Sequence, residues 1–261
     1  MPLARSRLGL LLLGALLTFV VYLLLPAAQQ EPHVAGARPA PEKQGRRVAN
    51  VTVHVGTVSG EPPVFYREAL AGPQASGTAS PGSRLDVLFL HGQAFTSKTW
   101  EALGTLALLA GEGYRAVAID LPGYGNSPPS EIVSKAQDRV AFLDYVFQEL
   151  GMQRPILVSP SMSGRFALPF LLARGEHLAG FVPVAPVGTK DYTAEQYQQV
   201  QTPTLIMYGD RDTTLGPQAL QSLRHLPRHR VTMVPNAGHA CYLDKPEEFH
   251  QALLGFLHQL N

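Results

Sequence analysis

Short apolar runs alternate with longer amphipathic segments from residue 86 to residue 259, and this alternation constrains the fold most strongly. The predicted strands are 86–90, 114–120, 155–158, 180–184, 204–208 and 230–234, and the predicted helices are 97–111, 134–150, 163–174, 216–225 and 246–259. Strands that alternate with helices predict an α/β fold, a mostly parallel sheet with helices on both sides. Functional residues are then expected in the loops at the carboxyl ends of the strands.

One serine stands where a predicted strand turns into a predicted helix. Ser161 follows strand 155–158 and precedes helix 163–174. On so sharp a turn the hydroxyl is exposed above the sheet, and small residues two positions to either side let the backbone segments approach each other. Glycine is usual at both of these positions, whereas Ser159 and Ser163 occupy them here. This weakens the motif, but serine is small enough for the turn.

An acid and a base follow the serine, each just past a predicted strand. Asp210 and Asp212 come after strand 204–208, and His239 comes after strand 230–234. A serine hydroxyl becomes a good nucleophile when a neutral imidazole takes its proton, and that imidazole needs a carboxylate to fix its tautomer and stabilise its charged form. The pattern therefore predicts nucleophilic catalysis, with either aspartate as the acid.

The loop after strand 86–90 is predicted to complete this site. It begins with His91, Gly92 and Gln93. Acyl transfer develops negative charge on a carbonyl oxygen, and backbone N–H groups already aimed at that oxygen stabilise it. The expected donors are the backbone N–H groups of Gln93 and of Met162, the residue after the nucleophile. His91 is interpreted as a residue that braces this loop rather than as a second base.

Several segments together resemble a known family. They are HGQAFTSKTW (91–100), GYRAVAIDLPGYGNS (113–127), SPSMSG (159–164), YGDRD (208–212) and AGHACYLDKPEEF (237–249). The chain resembles the α/β-hydrolases over about residues 50–261, and more narrowly the α/β-hydrolase-domain-containing family 14 and its membrane-anchored branch. The resemblance implies that Ser161, Asp212 and His239 form a catalytic triad, and it favours Asp212 over Asp210.

Charge and cysteine content exclude several other classes of protein. The formal net charge of the 261 residues is +1, with Lys and Arg scattered, so nucleic-acid binding is not expected. Cys241 is the single cysteine, which excludes an internal disulfide. No group of Cys and His has the spacing of metal ligands. We therefore expect neither a metal nor a cofactor, and we interpret Cys241 as a small buried side chain.

The first residues have a different character. Residues 8–25 carry no charge and follow two arginines, and a helix of this length, about 27 Å, just spans the hydrocarbon core of a membrane. An uncleaved signal anchor is therefore predicted, with residues 1–7 in the cytosol and residues 26–49 as a flexible stalk. The alternative is a secreted protein, cleaved near Ala28.

The hydrolase domain is predicted to comprise residues 50–261, on the luminal or extracellular side. Asn50 begins an N-glycosylation triplet, which agrees with that side. Val51 to Val55 alternates like a half-exposed strand, and Pro63 to Leu70 is predicted to pair with it as a hairpin. This single-pass type II topology makes the membrane the expected partner of residues 8–25.

The site is expected to be open. Between Val187 and Gln201 there are too few residues for a lid domain, and one short helix is predicted from Tyr192 to Val200. An open site favours short acyl groups, or acyl groups carried on a larger molecule. The aromatic residues expected to wall the site are Phe95, Trp100, Tyr124, Tyr192 and Tyr197.

These features favour a serine hydrolase that acts on an ester, thioester or amide through an acyl-enzyme at Ser161. The substrate class is a small molecule or a larger acyl-bearing molecule. One alternative is an acyltransferase that passes the acyl group to a thiol or amine, because an open site also admits acceptors other than water. The second is a catalytically silent hydrolase fold used for protein recognition.

Overall fold

A β-sheet forms the centre of the computed structural model, which describes residues 51–70 and 85–260. The strands of the described part are β1 (Val53–Val58), β2 (Val64–Ala69), β3 (Asp86–Phe89), β4 (Arg115–Ile119), β5 (Ile156–Pro160), β6 (Gly180–Val184), β7 (Thr204–Gly209) and β8 (His229–Val234). Their order in the sheet is β1-β2-β4-β3-β5-β6-β7-β8. The pairs β1–β2 and β2–β4 are antiparallel and all other pairs are parallel. The predicted mostly parallel sheet and the amino-terminal hairpin are therefore confirmed.

Helices cover both faces of this sheet. Those of the described residues are α1 (Ser97–Ala102), α2 (Thr105–Gly111), α3 (Ala136–Glu149), α4 (Gly164–Arg174), α5 (Ala194–Gln198), α6 (Leu215–Leu223), α7 (Cys241–Asp244) and α8 (Pro246–Leu260). Helices α3, α4, α5 and α6 pack on one face, and α1, α2, α7 and α8 pack on the other. Short 3-10 turns lie at Glu131–Val133, Ser161–Ser163, Gly175–His177 and Thr189–Asp191.

The two faces have separate apolar cores because successive strand residues point in opposite directions. In β3, Leu88 packs with Phe166 and Phe170 of α4, whereas Phe89 packs with Trp100 of α1 and Phe249 of α8. All six side chains are at least nine-tenths buried. A strand buried on both faces reads as a continuous apolar run, which is why the central strands could be located from the sequence.

The predicted helix 97–111 is wrong as a single element. The structure has two helices, α1 and α2, which are separated by Leu103 and Gly104. Gly104 has φ +71°, a left-handed conformation that glycine adopts without steric cost, and it stands immediately before α2. The apolar spacing continued across the break and concealed it. The short helix α7, directly after His239, was also not predicted.

The predicted residues of the site lie at the carboxyl ends of the strands, where the fold class places them. His91 follows β3, Ser161 follows β5, Asp212 follows β7 and His239 follows β8. The segment from residue 188 to residue 200 contains a 3-10 turn and α5, and it adds no lid domain. The parallel sheet thus brings together residues that are far apart in sequence.

The predicted membrane anchor, residues 8–25, lies outside the described residues, and so do the stalk and Asn50. Within residues 51–70 and 85–260, no helix is both long enough and apolar enough to span a bilayer. The described residues all belong to one structural unit, residues 47–261.

Candidate active site

Ser161 occupies a strained backbone position between β5 and α4. Its φ is +50°, a left-handed conformation that costs a non-glycine residue free energy. Ala185 after β6 (φ +42°) and Asn236 after β8 (φ +57°) share this unusual conformation. All three lie at the carboxyl edge of the sheet, where strained residues are commonly associated with function. The sharp turn predicted from the sequence is therefore confirmed.

The two serines that replace the usual glycines face each other beneath the turn. Ser163 donates its hydroxyl hydrogen to the Pro160 carbonyl oxygen at 2.8 Å, so the 3.0 Å contact between the Ser159 and Ser163 hydroxyls has Ser159 as its donor. Both side chains are fully buried. The loop after β6 approaches this turn closely one residue later, at Gly164, where an added Cβ would collide with the Val187 carbonyl oxygen. Glycine is needed there, a requirement that the sequence motif did not show.

A chain of two hydrogen bonds links the serine, histidine and aspartate. His239 Nε2 lies 2.8 Å from Ser161 Oγ, and His239 Nδ1 lies 2.6 Å from Asp212 Oδ2. The carboxylate requires the hydrogen on Nδ1, which leaves Nε2 as the acceptor for the serine hydroxyl. The structure thus brings together the three residues predicted to act, in a geometry suited to removing the serine proton.

Asp212 is held as a carboxylate inside the protein. Burial opposes its ionisation, but hydrogen bonds from His239 and from the backbone that follows the aspartate outweigh burial and lower the pKa of Asp212. Its second oxygen, Oδ1, accepts hydrogen bonds from the backbone N–H groups of Thr214 at 3.1 Å and Leu215 at 3.0 Å. A carboxylate with this set of partners is fixed in orientation and remains charged.

Asp210 has a different position. Its Oδ1 accepts a hydrogen bond from the Ala237 backbone N–H at 3.2 Å, in the loop that leads to His239. The side chain of Asp212, by contrast, contacts the imidazole directly. Of the two aspartates between which the residues alone left the choice open, Asp212 contacts the imidazole and Asp210 contacts a backbone N–H.

His91 braces the loop that contains Gln93. Its Nε2 accepts a hydrogen bond from the Leu121 backbone N–H at 3.0 Å, so Nδ1 is the protonated nitrogen and donates to the Gly92 carbonyl oxygen at 2.8 Å. Burial lowers the pKa of His91 and keeps the ring neutral. Because the Gly92 carbonyl and the Gln93 N–H belong to one planar peptide group, holding the first also orients the second.

Two cavities meet at Ser161. The smaller, of about 190 Å³, is lined largely by apolar side chains, including Phe95, Val184 and Tyr242, together with Ser161 and His239. The larger, of about 460 Å³, contains Ser161 with Gln93, Met162, Tyr124 and two arginines in its wall. Gln93 and Met162, the predicted oxyanion-stabilising residues, therefore lie beside the nucleophile in the same cavity wall.

Two of the aromatic residues expected to wall the site belong to the core instead. Trp100 is fully buried and donates its indole N–H to the Leu90 carbonyl oxygen at 2.8 Å. Tyr197 is also fully buried, and its hydroxyl donates to the Thr189 carbonyl oxygen at 2.8 Å. Phe95 and Tyr124 do line the cavities at Ser161, as predicted. Tyr192 lines a neighbouring cavity.

Tyr242 is a wall residue that sequence reasoning missed. It lies in α7, three residues after His239, and its ring packs at 4.9 Å from Trp100 (centroid to centroid) beside the small cavity. Nothing in the sequence separated it from an ordinary core tyrosine. Cys241 next to it is buried, and burial raises the pKa of its thiol to about 12, so it is not a second nucleophile.

The sheet order, the serine turn and the hydrogen-bonded Ser161, His239 and Asp212 define the chain as an α/β-hydrolase. Residues 87–191 match the model of the alpha/beta hydrolase family. More narrowly, the chain belongs to the α/β-hydrolase-domain-containing family 14. It is 50% identical to Protein ABHD14A of Danio rerio, over 98% of this chain and 98% of that protein.

Other relatives extend the comparison. The chain is 50% identical to human "Putative protein-lysine deacylase ABHD14B", over 76% of this chain and 91% of that protein. Among solved structures, a predicted CIB-like hydrolase from Thermoplasma acidophilum has a TM-score of 0.71 at 22% identity and covers 80% of this chain and 100% of its own. Carboxylesterase CesB from Bacillus subtilis has a TM-score of 0.65 at 20% identity, and the match covers 80% of this chain and 93% of CesB. The structural similarities show the fold, and the fold with the hydrolase relatives supports a hydrolase.

Proposed function

We propose that the chain is a serine hydrolase that cleaves a short acyl group from an ester, thioester or amide through an acyl-enzyme at Ser161. The observation that carries this proposal is the chain of two hydrogen bonds, 2.8 Å from Ser161 to His239 and 2.6 Å from His239 to Asp212. The strained position of Ser161, at the meeting point of two cavities, is further support.

Acylation begins when His239 Nε2 accepts the proton of Ser161 Oγ. The oxygen then attacks the substrate carbonyl carbon, and the carbonyl oxygen becomes negatively charged. In this proposal the backbone N–H groups of Gln93 and Met162 stabilise that charge, and Asp212 stabilises the imidazolium of His239. The imidazolium then donates its proton to the leaving group, which departs and leaves the acyl group on Ser161.

Deacylation repeats these steps with water as the nucleophile. His239 takes a proton from water, the hydroxide attacks the acyl carbonyl, and the proton passes to Ser161 Oγ as the acid leaves. The side chain of His239 is 41% exposed, which leaves the imidazole accessible to water. No step needs a metal or cofactor.

The small cavity suggests the size of the acyl group. At about 190 Å³, and closed by Phe95, Val184 and Tyr242, it accepts an acetyl or butyryl chain more readily than a long one. One relative has the name "Putative protein-lysine deacylase ABHD14B". Acyl-lysine amides should therefore be tested beside esters and thioesters.

Hydrolysis of 4-nitrophenyl acetate, butyrate and octanoate by the full-length chain tests this proposal. We expect kcat/KM to fall from the short esters to octanoate, and to fall to background in Ser161→Ala. Ser222→Ala, at the far end of α6, is the matched control and should retain activity. Full activity in Ser161→Ala would contradict the proposed nucleophile, whereas a preference for octanoate would contradict the proposed acyl group alone.

An acyltransferase is the second candidate, because the exposed His239 and the open cavity also admit a thiol or an amine. Product analysis in the presence of an added amine or thiol distinguishes the two, since a transferase forms the new amide or thioester in preference to the free acid. A folded chain with no turnover in any of these assays would instead favour a protein-recognition role.

We also propose that residues 8–25 anchor the chain in a membrane with the hydrolase domain on the luminal or extracellular side. The support is the uncharged run, the arginines before it and the N-glycosylation triplet at Asn50. Cleavage near Ala28 would give a secreted form instead.

A further inference from the structure

Two arginines line the cavity that contains the nucleophile. Arg139 of α3 and Arg165 of α4 both lie in the wall of the 460 Å³ cavity at Ser161, whose wall residues include no carboxylate. The same two arginines also line a second cavity of about 410 Å³, to which Lys190 and Asp191 contribute as well. Three positive side chains and one negative side chain thus line the surface next to Ser161.

Arg139 is held in a fixed orientation. Its Nε donates to the Val133 carbonyl oxygen and its Nη2 to the Ser134 carbonyl oxygen, both at 2.8 Å. Its guanidinium also lies over the Phe166 ring, 5.5 Å from the centroid. These contacts use one edge of the guanidinium. Nη1 has no acceptor among the described residues and is available to a ligand.

Arg165 lies in the first turn of α4, four residues after the nucleophile, and both residues lie in the wall of the 460 Å³ cavity. Arg165 is exposed, and within residues 51–70 and 85–260 no carboxylate lies within 4.0 Å of Arg139, Arg165 or Lys190. Positive side chains that line a cavity and have no carboxylate partner are typical of an anion-binding surface.

We propose that the larger cavity binds a carboxylate carried by the leaving group of the substrate, through Arg139 and Arg165. This inference rests on the proposed function. If the small apolar cavity holds the acyl group, the leaving group extends from Ser161 into the larger cavity. A carboxylate fits because its two oxygens match the paired N–H groups of a guanidinium. The predicted substrates are O-acyl or N-acyl compounds with a free carboxylate on the alcohol or amine side.

Two isosteric acetyl esters test this proposal with the full-length chain. The carboxylate probe is 4-acetoxyphenylacetate, and the neutral probe is 4-acetoxyphenylacetamide. Their methylene group insulates the phenol from the charge, so the two esters have similar intrinsic reactivity. We expect kcat/KM to favour the carboxylate by about fivefold, as for a partly exposed ion pair, and we expect about 0.5 M NaCl to reduce the preference.

The readout is kcat/KM for the carboxylate probe divided by kcat/KM for the neutral probe. A loss of activity that affects both probes equally leaves this ratio unchanged. In the variant that combines Arg139→Gln with Arg165→Gln the ratio should fall to about one. Arg165→Gln alone should lower it in part and, being an exposed change, should not impair folding. Arg230→Gln, at the amino-terminal end of β8, is the matched control and should leave the ratio unchanged. A ratio of one or less in the wild type, or an unchanged ratio in the double variant, would overturn the proposal.

Binding to Ser161→Ala separates this inference from the proposed function. An NMR titration measures Kd for both probes without turnover. Tighter binding of the carboxylate, lost when Arg165→Gln is added, would support the anion site even if the neutral ester is never hydrolysed. Equal Kd values would overturn the anion site, whereas hydrolysis of the neutral ester that depends on Ser161 would still support the proposed function.

Discussion

Replacing Asp212 by asparagine tests the role of the buried carboxylate in the proposed triad. Asp212 Oδ1 accepts backbone hydrogen bonds from Thr214 and Leu215, and Oδ2 accepts the hydrogen bond from His239 Nδ1. In Asp212→Asn the amide oxygen is expected to stay with the two backbone N–H groups, because they have no other acceptor there. The amide NH2 group then faces Nδ1 and makes it an acceptor.

The imidazole must then carry its hydrogen on Nε2, the nitrogen that lies 2.8 Å from Ser161 Oγ. In that tautomer His239 cannot take the serine proton, and the negative charge that stabilises the imidazolium is also lost. We expect kcat/KM to fall by about 10⁴-fold, or about 5 kcal/mol in activation free energy, as for the equivalent change in other Ser-His-Asp enzymes. KM should change little, because Asp212 lies behind the imidazole and lines neither cavity at Ser161.

Hydrolysis of 4-nitrophenyl acetate measures the effect, with thermal unfolding as the check that the variant is folded. Asp210→Asn is the matched control, since Asp210 contacts a backbone N–H and not the imidazole. It should lose less than about tenfold in kcat/KM. A folded Asp212→Asn variant within tenfold of wild type, or an equal loss in Asp210→Asn, would refute the assigned role.

Three further predictions concern stability, pH and topology. Gly164→Ala should reduce the free energy of unfolding, measured in urea, by about 2 kcal/mol or more, because the added Cβ meets the Val187 carbonyl oxygen. The control Gly255→Ala, where the added Cβ enters open space on α8, should raise the free energy of unfolding by about 0.5–1 kcal/mol. Equal effects of the two changes would contradict this prediction. Burial lowers the pKa of His91, so the unfolded chain binds the proton first and stability should fall as pH drops below about 6.5. His91→Gln should flatten that decline, by up to about 1.4 kcal/mol per pH unit, in urea unfolding near pH 7.5 and 5.5, and an unchanged slope would contradict it. When the chain is expressed in animal cells, treatment with peptide N-glycosidase should increase the electrophoretic mobility of the wild type but not that of Asn50→Gln. An unchanged mobility of the wild type would argue against a luminal location of the hydrolase domain.

The sequence predicted those parts of the fold and site that depend on local patterns. Strands buried on both faces gave continuous apolar runs, and the serine turn had a small-residue signature. Ser161, His239 and one of two aspartates could therefore be named from strand ends alone. The break at Gly104 was missed because the apolar spacing of α1 continues into α2, and one glycine does not by itself end a predicted helix.

The remaining features depend on contacts between distant segments, which periodicity does not encode. Trp100 was expected to wall the site, yet it lies in the core against Phe249, about 150 residues later in the chain. Tyr242 was not expected there, yet α7 places it beside the small cavity. The need for glycine at Gly164 likewise arises from the approach of the loop after β6.

Covalent labelling of the full-length chain with a serine-directed fluorophosphonate tests the central claim, an activated Ser161, most directly. Peptide mapping by mass spectrometry identifies the labelled residue. The proposed mechanism predicts one adduct, on Ser161, that is lost in His239→Ala but kept in the exposed control His225→Ala. An adduct on a different serine, labelling undiminished by His239→Ala, or no adduct on a folded wild-type chain would contradict it.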